Sequence, residues 1–181
     1  MNFIFKVNLN DSDYLDCNVF WMLRSHYGKK QVKGFRTLIT IMFLIFGVIF
    51  LIGRKFTAEA FLGLLPMLIL FFIVQMCLSR ILTWSIKLTV KNLKKSGKMG
   101  YSPESVMEFH EDSFSETTPD NKTEQKYSAI ERISIVDNSA IYIHVNNVML
   151  YILPRSCFES KEQYAAFLAF IKTKCANIDV Y

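Results

Sequence analysis

Two uncharged apolar runs stand six residues apart in this chain, and they restrict its fold more than any other feature. Thr37 to Gly53 is 17 residues without a charge, and Ala60 to Ser79 is 20. A bilayer hydrocarbon core of about 30 Å is crossed by about 20 helical residues, with a working range of roughly 17–25. The second run meets that length comfortably. The first meets it at the short end, helped by Gly34, Phe35 and a snorkelling Arg36. A core helix of a water-soluble protein keeps a polar stripe, and neither run has one. Only Arg54, Lys55, Phe56, Thr57, Ala58 and Glu59 connect them, so the two helices are expected to be antiparallel neighbours spanning about 35–53 and 60–79.

Orientation is read from the cations near the helix ends, because Lys and Arg are retained on the cytoplasmic side. Arg24, Lys29, Lys30, Lys33 and Arg36 precede the first run, and Arg80, Lys87, Lys91, Lys94, Lys95 and Lys98 follow the second. The connection holds two, Arg54 and Lys55. The expectation is a multi-pass protein of the cell membrane with both termini in the cytoplasm. The first 16 residues have Asp11, Asp13 and Asp16 and no basic start before an apolar core, so no cleavable leader is expected.

The net charge of +5 does not indicate nucleic-acid binding, because it is unevenly placed. Residues 1–100 hold 14 Lys/Arg against 4 Asp/Glu, a net of +10, whereas residues 101–181 hold 7 against 12, a net of −5. The basic part flanks the apolar runs, and the part able to form a soluble domain is acidic, the reverse of a phosphate-binding domain. The same acidity argues against a phosphoinositide-type pocket there. Cys17, Cys77, Cys157 and Cys175 lack the clustered spacing of a disulfide framework or a thiolate metal site, and reduced thiols are expected.

Inside the membrane runs, Pro66 sits in the second turn of its segment, where a missing N–H costs least. Gln75 is a candidate intramembrane contact, to the first helix or to another copy. Beyond Ser79 the helical pattern continues as a basic juxtamembrane segment, residues 80–100. Lys87, Lys91, Lys94 and Lys98 share one face there, a candidate contact for anionic lipid.

The flanks read as an α+β domain. Phe3, Phe5, Val7 and Leu9 alternate as in a half-buried strand, and Asn10 is a good cap for a helix over about Asp11–Tyr27. Residues 1–30 are expected to dock on the β domain of residues 101–181. There, strand-like runs cover Val106–His110, a resumption at Phe114, Arg132–Val136, Ala140–Val145 and Val148–Leu153. Turns fall at Glu111–Ser113, Thr117–Asn121, Asp137–Ser139 and Asn146-Asn147. Pro154 stops this antiparallel meander. Ser160 then caps a closing helix over Glu162–Cys175, whose Tyr164, Phe167, Leu168 and Ile171 form an apolar stripe. The fold class is therefore a two-helix transmembrane hairpin (residues 34–79) plus a small antiparallel β domain closed by a C-terminal helix.

The run Tyr127-Ser128-Ala129-Ile130, then Ile133, the Tyr142 strand and Ile152-Leu153-Pro154-Arg155-Ser156-Cys157-Phe158 resembles the YcxB-like family of bacterial membrane proteins. Tyr127 stands where that family often shows Trp, and Arg155 where Lys is common, so an aromatic and a cation are kept. The resemblance implies a pleckstrin-homology-like plan for the β domain and carries no activity. Tyr127, Ile130, Pro154 and Arg155 are expected to be structural, with Arg155 pairing with a carboxylate or a helix end.

His26, His110 and His144 are scattered, and no metal-binding, nucleophile-elbow or phosphate-loop spacing occurs. No catalytic residue, metal or cofactor is expected. The functional expectation is a membrane-anchored, non-enzymatic interaction or regulatory module. Its partners would be the bilayer, anionic lipid, and either further copies of itself or another protein. The alternative is a subunit of a small oligomeric transporter or channel.

Overall fold

The computed structural model describes residues 2–97, 99–136, 139–146 and 149–181. Two compact units form: Met1–Cys17 with Lys98–Tyr181, and Asn18–Gly97.

The first unit holds two four-stranded sheets. Strand β1 (Phe3–Asn8) pairs antiparallel with β2 (Glu104–Phe109), then β3 (Ser113–Thr117) and β4 (Lys122–Lys126) complete the first sheet. Strands β5 (Arg132–Val136), β6 (Ala140–His144) and β7 (Leu150–Pro154) form the antiparallel part of the second. A last strand, β8 (Ile178–Val180), joins β5 in parallel. The expectation of one antiparallel meander is thus corrected to two sheets, one of them mixed. β4 (Lys-Thr-Glu-Gln-Lys) was not anticipated because a charged edge strand has no apolar alternation to read. β8 was not, because three residues are too short a run. Of the expected turns, Asp137, Asn138 and Asn147, together with Val148, lie outside the described residues.

The core forms where both sheets turn their apolar faces inward. Phe3, Phe5 and Val7 alternate with exposed residues and meet Met107, Phe109 and Phe114 from the first sheet and Ile133, Ile135, Ile141, Ile143 and Leu153 from the second. Helix α4 (Lys161–Lys174), capped by Ser160 accepting from the Gln163 amide, adds fully buried Phe167 and Ile171. Phe167 packs edge-on against Phe3, Phe5 and Phe109, with ring centroids 4.8–5.4 Å apart. The chain does not end on α4, since β8 follows it.

The first sheet is interrupted by almost a hundred residues. Asn8 at the end of β1 is the register partner of Glu104 at the start of β2, and everything between is inserted at that point. The insertion begins with α1 (Asp11–Val19), where the Asn10 side chain accepts from the Ser12 and Asp13 amides and Asp13 accepts from the Asn10 amide. The expected single helix over Asp11–Tyr27 is corrected. The chain passes into a π-helical turn at Phe20–Arg24 and breaks at Ser25. Buried Ser25 stabilises this corner, accepting from the Gly28 amide and donating to the Trp21 carbonyl. Gly28 is required there, because a Cβ would collide with the backbone carbonyls of Trp21 and Met22.

The second unit is the helical hairpin. Helix α2 (His26–Gly53) starts earlier than the apolar run, and α3 (Ala58–Lys95) continues past it, so the basic juxtamembrane segment continues the second apolar helix as the outer part of α3. At about 1.5 Å per residue, α3 is roughly 57 Å long. Pro66 lies further inside α3 than the expected second turn, and the Leu62 carbonyl loses the amide it would have bonded. Both helices are long and apolar enough to cross a membrane, and almost none of their most apolar stretches is buried within the chain. The connection closes α2 with the Phe56 amide on the Leu51 carbonyl and the Lys55 amide on that of Ile52. Lys55 and Phe56 both take positive φ, 51° and 53°, and Thr57 caps α3.

Candidate functional site

Polar and charged side chains gather in four places: the outer face of α3, the amide inside the hairpin, the motif residues of the β domain, and the groups buried in its second sheet.

Lys87, Lys91 and Lys94 are exposed on α3; Lys98 lies outside the described residues. Their stripe extends toward the apolar stretch through two further residues, because Arg80, Trp84, Lys87, Lys91 and Lys94 recur at helical spacings of four and three. Ser79, Arg80, Thr83, Trp84 and Lys87 line a shallow depression of about 320 Å³. In the sequence Arg80 reads as one of the cations that set orientation and Trp84 carries no charge, so only their spacing joins them to the lysine face.

Gln75 is the polar group within the hairpin seam. Its Nε2 donates to the Arg36 carbonyl and to Thr40 Oγ1, both at 3.2 Å. Thr40 Oγ1 in turn donates to the Arg36 carbonyl at 2.9 Å, so the carbonyl of one turn of α2 gathers three donors. Below this, Phe43 and Phe71 pack with centroids 4.6 Å apart, and Phe50 lies against Gly63.

Tyr127 opens the 3₁₀ turn between β4 and β5 and is buried with Ile130 in the core. Its hydroxyl donates to the His110 carbonyl at 2.8 Å, and burial, then Asp112, pushes its pKa up to about 12. Pro154 ends β7, an edge strand, where a missing donor costs no ladder bond. Arg155, expected on a carboxylate or a helix end, lies beside the start of α4 over aromatic rings. Its guanidinium lies over the Tyr164 ring at 4.0 Å and the Phe158 ring at 5.5 Å rather than on a carboxylate, because the 3₁₀ turn after Pro154 aims it at aromatic side chains of the α4 region.

The second sheet buries polar side chains on the face turned away from the core, which the scattered spacing of the histidines did not suggest. Ile133 and Ile135 face the core, so the alternate residue Ser134 faces away, and His144 and Tyr142 share that outer face. All three are buried. Ser134 Oγ and His144 Nε2 are 3.3 Å apart. Burial, then the Arg132 guanidinium, pushes the imidazole down to about 4, while Asp179 acts the other way. Tyr142 lies within electrostatic reach of Cys17 and Asp16 on α1. Glu131, Arg132, Asn177, Ile178 and Asp179 line an open depression of about 460 Å³ nearby. The available signal was the polar residue within each isoleucine-rich strand, Ile133-Ser134-Ile135 and Ile143-His144-Val145.

Among the described residues, no group of three or more His, Cys, Asp or Glu side chains could hold a metal ion. Burial raises the Cys17 thiol to about 12 and the Cys157 thiol to about 11. His110 stands at the surface, 3.7 Å from Glu108.

Residues 109–171, from the last residue of β2 to Ile171 of α4, match the family model of YcxB-like proteins, the family that Tyr127–Ile130 and Ile152–Phe158 resemble. No curated protein and no solved structure matches the chain.

Proposed function

We propose that this chain, with its YcxB-like segment at residues 109–171, is a membrane-anchored, non-enzymatic interaction module with its β domain in the cytoplasm. The observation that carries this is the register pairing of Asn8 with Glu104 across the inserted helices. Paired strands hold their Cα atoms about 5 Å apart. A sheet cannot be divided by a bilayer, so the chain entering α2 and the chain leaving α3 belong on one side of it, as two spans require. The cations flanking those spans, against two in the connection, support the cytoplasm as that side.

The hairpin's polar side chains support an anchor in preference to a pore. A conducting path needs polar groups turned inward within the membrane. Here Gln75 and Thr40 bond to each other and to the Arg36 carbonyl. The four-strand and then three-strand order followed by α4 supports a pleckstrin-homology-like plan, with the hairpin inserted in its first connection and β8 added at its end. The exposed edge of β4 is the strand-pairing surface such a module presents to a protein partner.

A photo-cross-linker at Lys122 in native membranes, combined with ion-flux measurements on the reconstituted protein, tests this. A recurrent cross-linked partner without flux is expected. Flux through liposomes would overturn the reading in favour of a transporter or channel subunit.

A further inference from the structure

We propose that Arg80, Trp84 and Lys87 form a binding site for the phosphate of an anionic phospholipid headgroup in the leaflet where α3 leaves the membrane. This rests on the membrane reading above, which ends the span at Ser79.

The three residues stand at i, i+4 and i+7 on one exposed face of α3, around the depression shared with Ser79 and Thr83. Trp84 is 63% exposed, an unfavourable place for an indole in water and a favourable one at the level of lipid headgroups. Arg80 offers a planar fork suited to phosphate, and Lys87 adds a point charge. Side chains on a helix tilt toward its N-terminus, here toward the membrane, which lets Lys87 reach back toward the depression it shares with Trp84. Arg80, at the membrane edge, snorkels outward to meet it. Thr83 Oγ1 donates to the Ser79 carbonyl at 2.9 Å, so the cations, and not this hydroxyl, are the phosphate donors. No Asp or Glu occurs between Glu59 and Glu104, so α3 carries no carboxylate beyond its first turn to compete for them.

Distance along the helix separates this site from the lysines beyond it. The headgroup layer is about 5–8 Å deep on each side of the hydrocarbon. At about 1.5 Å per residue, Trp84 stands roughly 7 Å and Lys87 roughly 12 Å past Ser79. Lys91 and Lys94 stand roughly 18 and 22 Å past it, more than a Debye length of about 8 Å above the headgroups. The lipid contact therefore centres on Arg80–Lys87.

The test uses the full chain carrying Trp21→Phe, which leaves Trp84 as its one indole. It is reconstituted at about 0.15 M salt, where the Debye length is about 8 Å, in vesicles of phosphatidylcholine and phosphatidylglycerol, with one lipid or the other brominated near the headgroup end of its chains. Phosphatidylglycerol is expected to be preferred as quencher of Trp84 by about threefold, the scale set by two partly screened cations near anionic lipid. The preference is expected to vanish in R80Q/K87Q and to persist in K91Q/K94Q. Equal quenching by the two lipids, or a preference surviving R80Q/K87Q, would overturn the site. Flotation of the same samples separates the failures: protein that floats without a lipid preference sinks the site alone, and protein that does not float sinks the membrane reading with it.

Discussion

The Gln75 amide on α3 donates to Thr40 Oγ1 on α2 at 3.2 Å, joining the two apolar helices near one end. The same nitrogen reaches the Arg36 carbonyl, so the amide is used within the hairpin. On the membrane reading proposed above, a polar group in hydrocarbon must find a partner, and the Nε2 partners belong to the same chain.

Gln75→Leu is therefore expected to loosen the hairpin and to leave self-association unchanged. Interhelical hydrogen bonds in membranes contribute about 0.6 kcal/mol on average and up to about 1.7. A loss in that range is expected from denaturant titration of the protein in mixed micelles. A change in self-association without a change in hairpin stability would contradict it.

Gly28→Ala is expected to be among the most damaging single-methyl additions in the chain. The added Cβ meets the Trp21 and Met22 carbonyls, which are backbone and cannot rotate away. The corner at Ser25 must open, at a cost of about 1–3 kcal/mol or more. Faster hydrogen exchange at the Gly28 and Lys29 amides, which bond to Ser25, is the expected readout. Gly34→Ala, with open space around it, is the matched control and is expected to be neutral or stabilising.

Lys55→Gly is expected to stabilise the connection. Lys55 holds φ at 51° in the closing turn of α2, a conformation that costs a residue with a Cβ about 1 kcal/mol. The variant is expected to raise the hairpin's resistance to denaturant by a similar amount. Lower resistance would show that the lysine side chain outweighs its backbone cost.

Acidification is expected to loosen the second sheet through His144. Its imidazole titrates near 4 when folded against the usual 6.5, so the unfolded chain binds more protons between those values. Stability is therefore complete above about pH 6.5 and falls as pH drops through about 4, by up to about 3 kcal/mol. The protection factors of β5 and β6 amides in detergent, taken against the intrinsic exchange rate at each pH, are expected to fall over that window in the parent chain, and it is this fall that His144→Asn is expected to lose. A pH profile identical in both chains would remove the assignment.

The features legible in the sequence were those with a period or a cap. Phe3-Phe5-Val7 marked β1, Asn10 and Ser160 marked helix starts, and two charge-free runs marked the hairpin. The break at Ser25 was hidden, because apolar residues continue at helical spacing through Trp21 and Met22 and the close approach at Gly28 is a tertiary fact. β4 was hidden by its polarity, and β8 by its length. Ser134 and His144 come together only once the register of β5 and β6 is known, which places His144 opposite Arg132 and two residues from Ser134's partner Tyr142. The aromatic cradle of Arg155 likewise depends on where α4 lies against the 3₁₀ turn, which no spacing reveals.

Sided labelling gives the most direct check of the anchor. In a cysteine-free chain, single cysteines at Ser12, Glu59 and Asp120 are exposed to an impermeant maleimide, first in intact spheroplasts and then after lysis. Labelling of Glu59→Cys from outside, with Ser12→Cys and Asp120→Cys reacting only after lysis, is the expected pattern. Labelling of Ser12→Cys or Asp120→Cys in intact spheroplasts would contradict the account, since the strands joined at Asn8 and Glu104 would then lie outside the cell or on opposite sides of the bilayer.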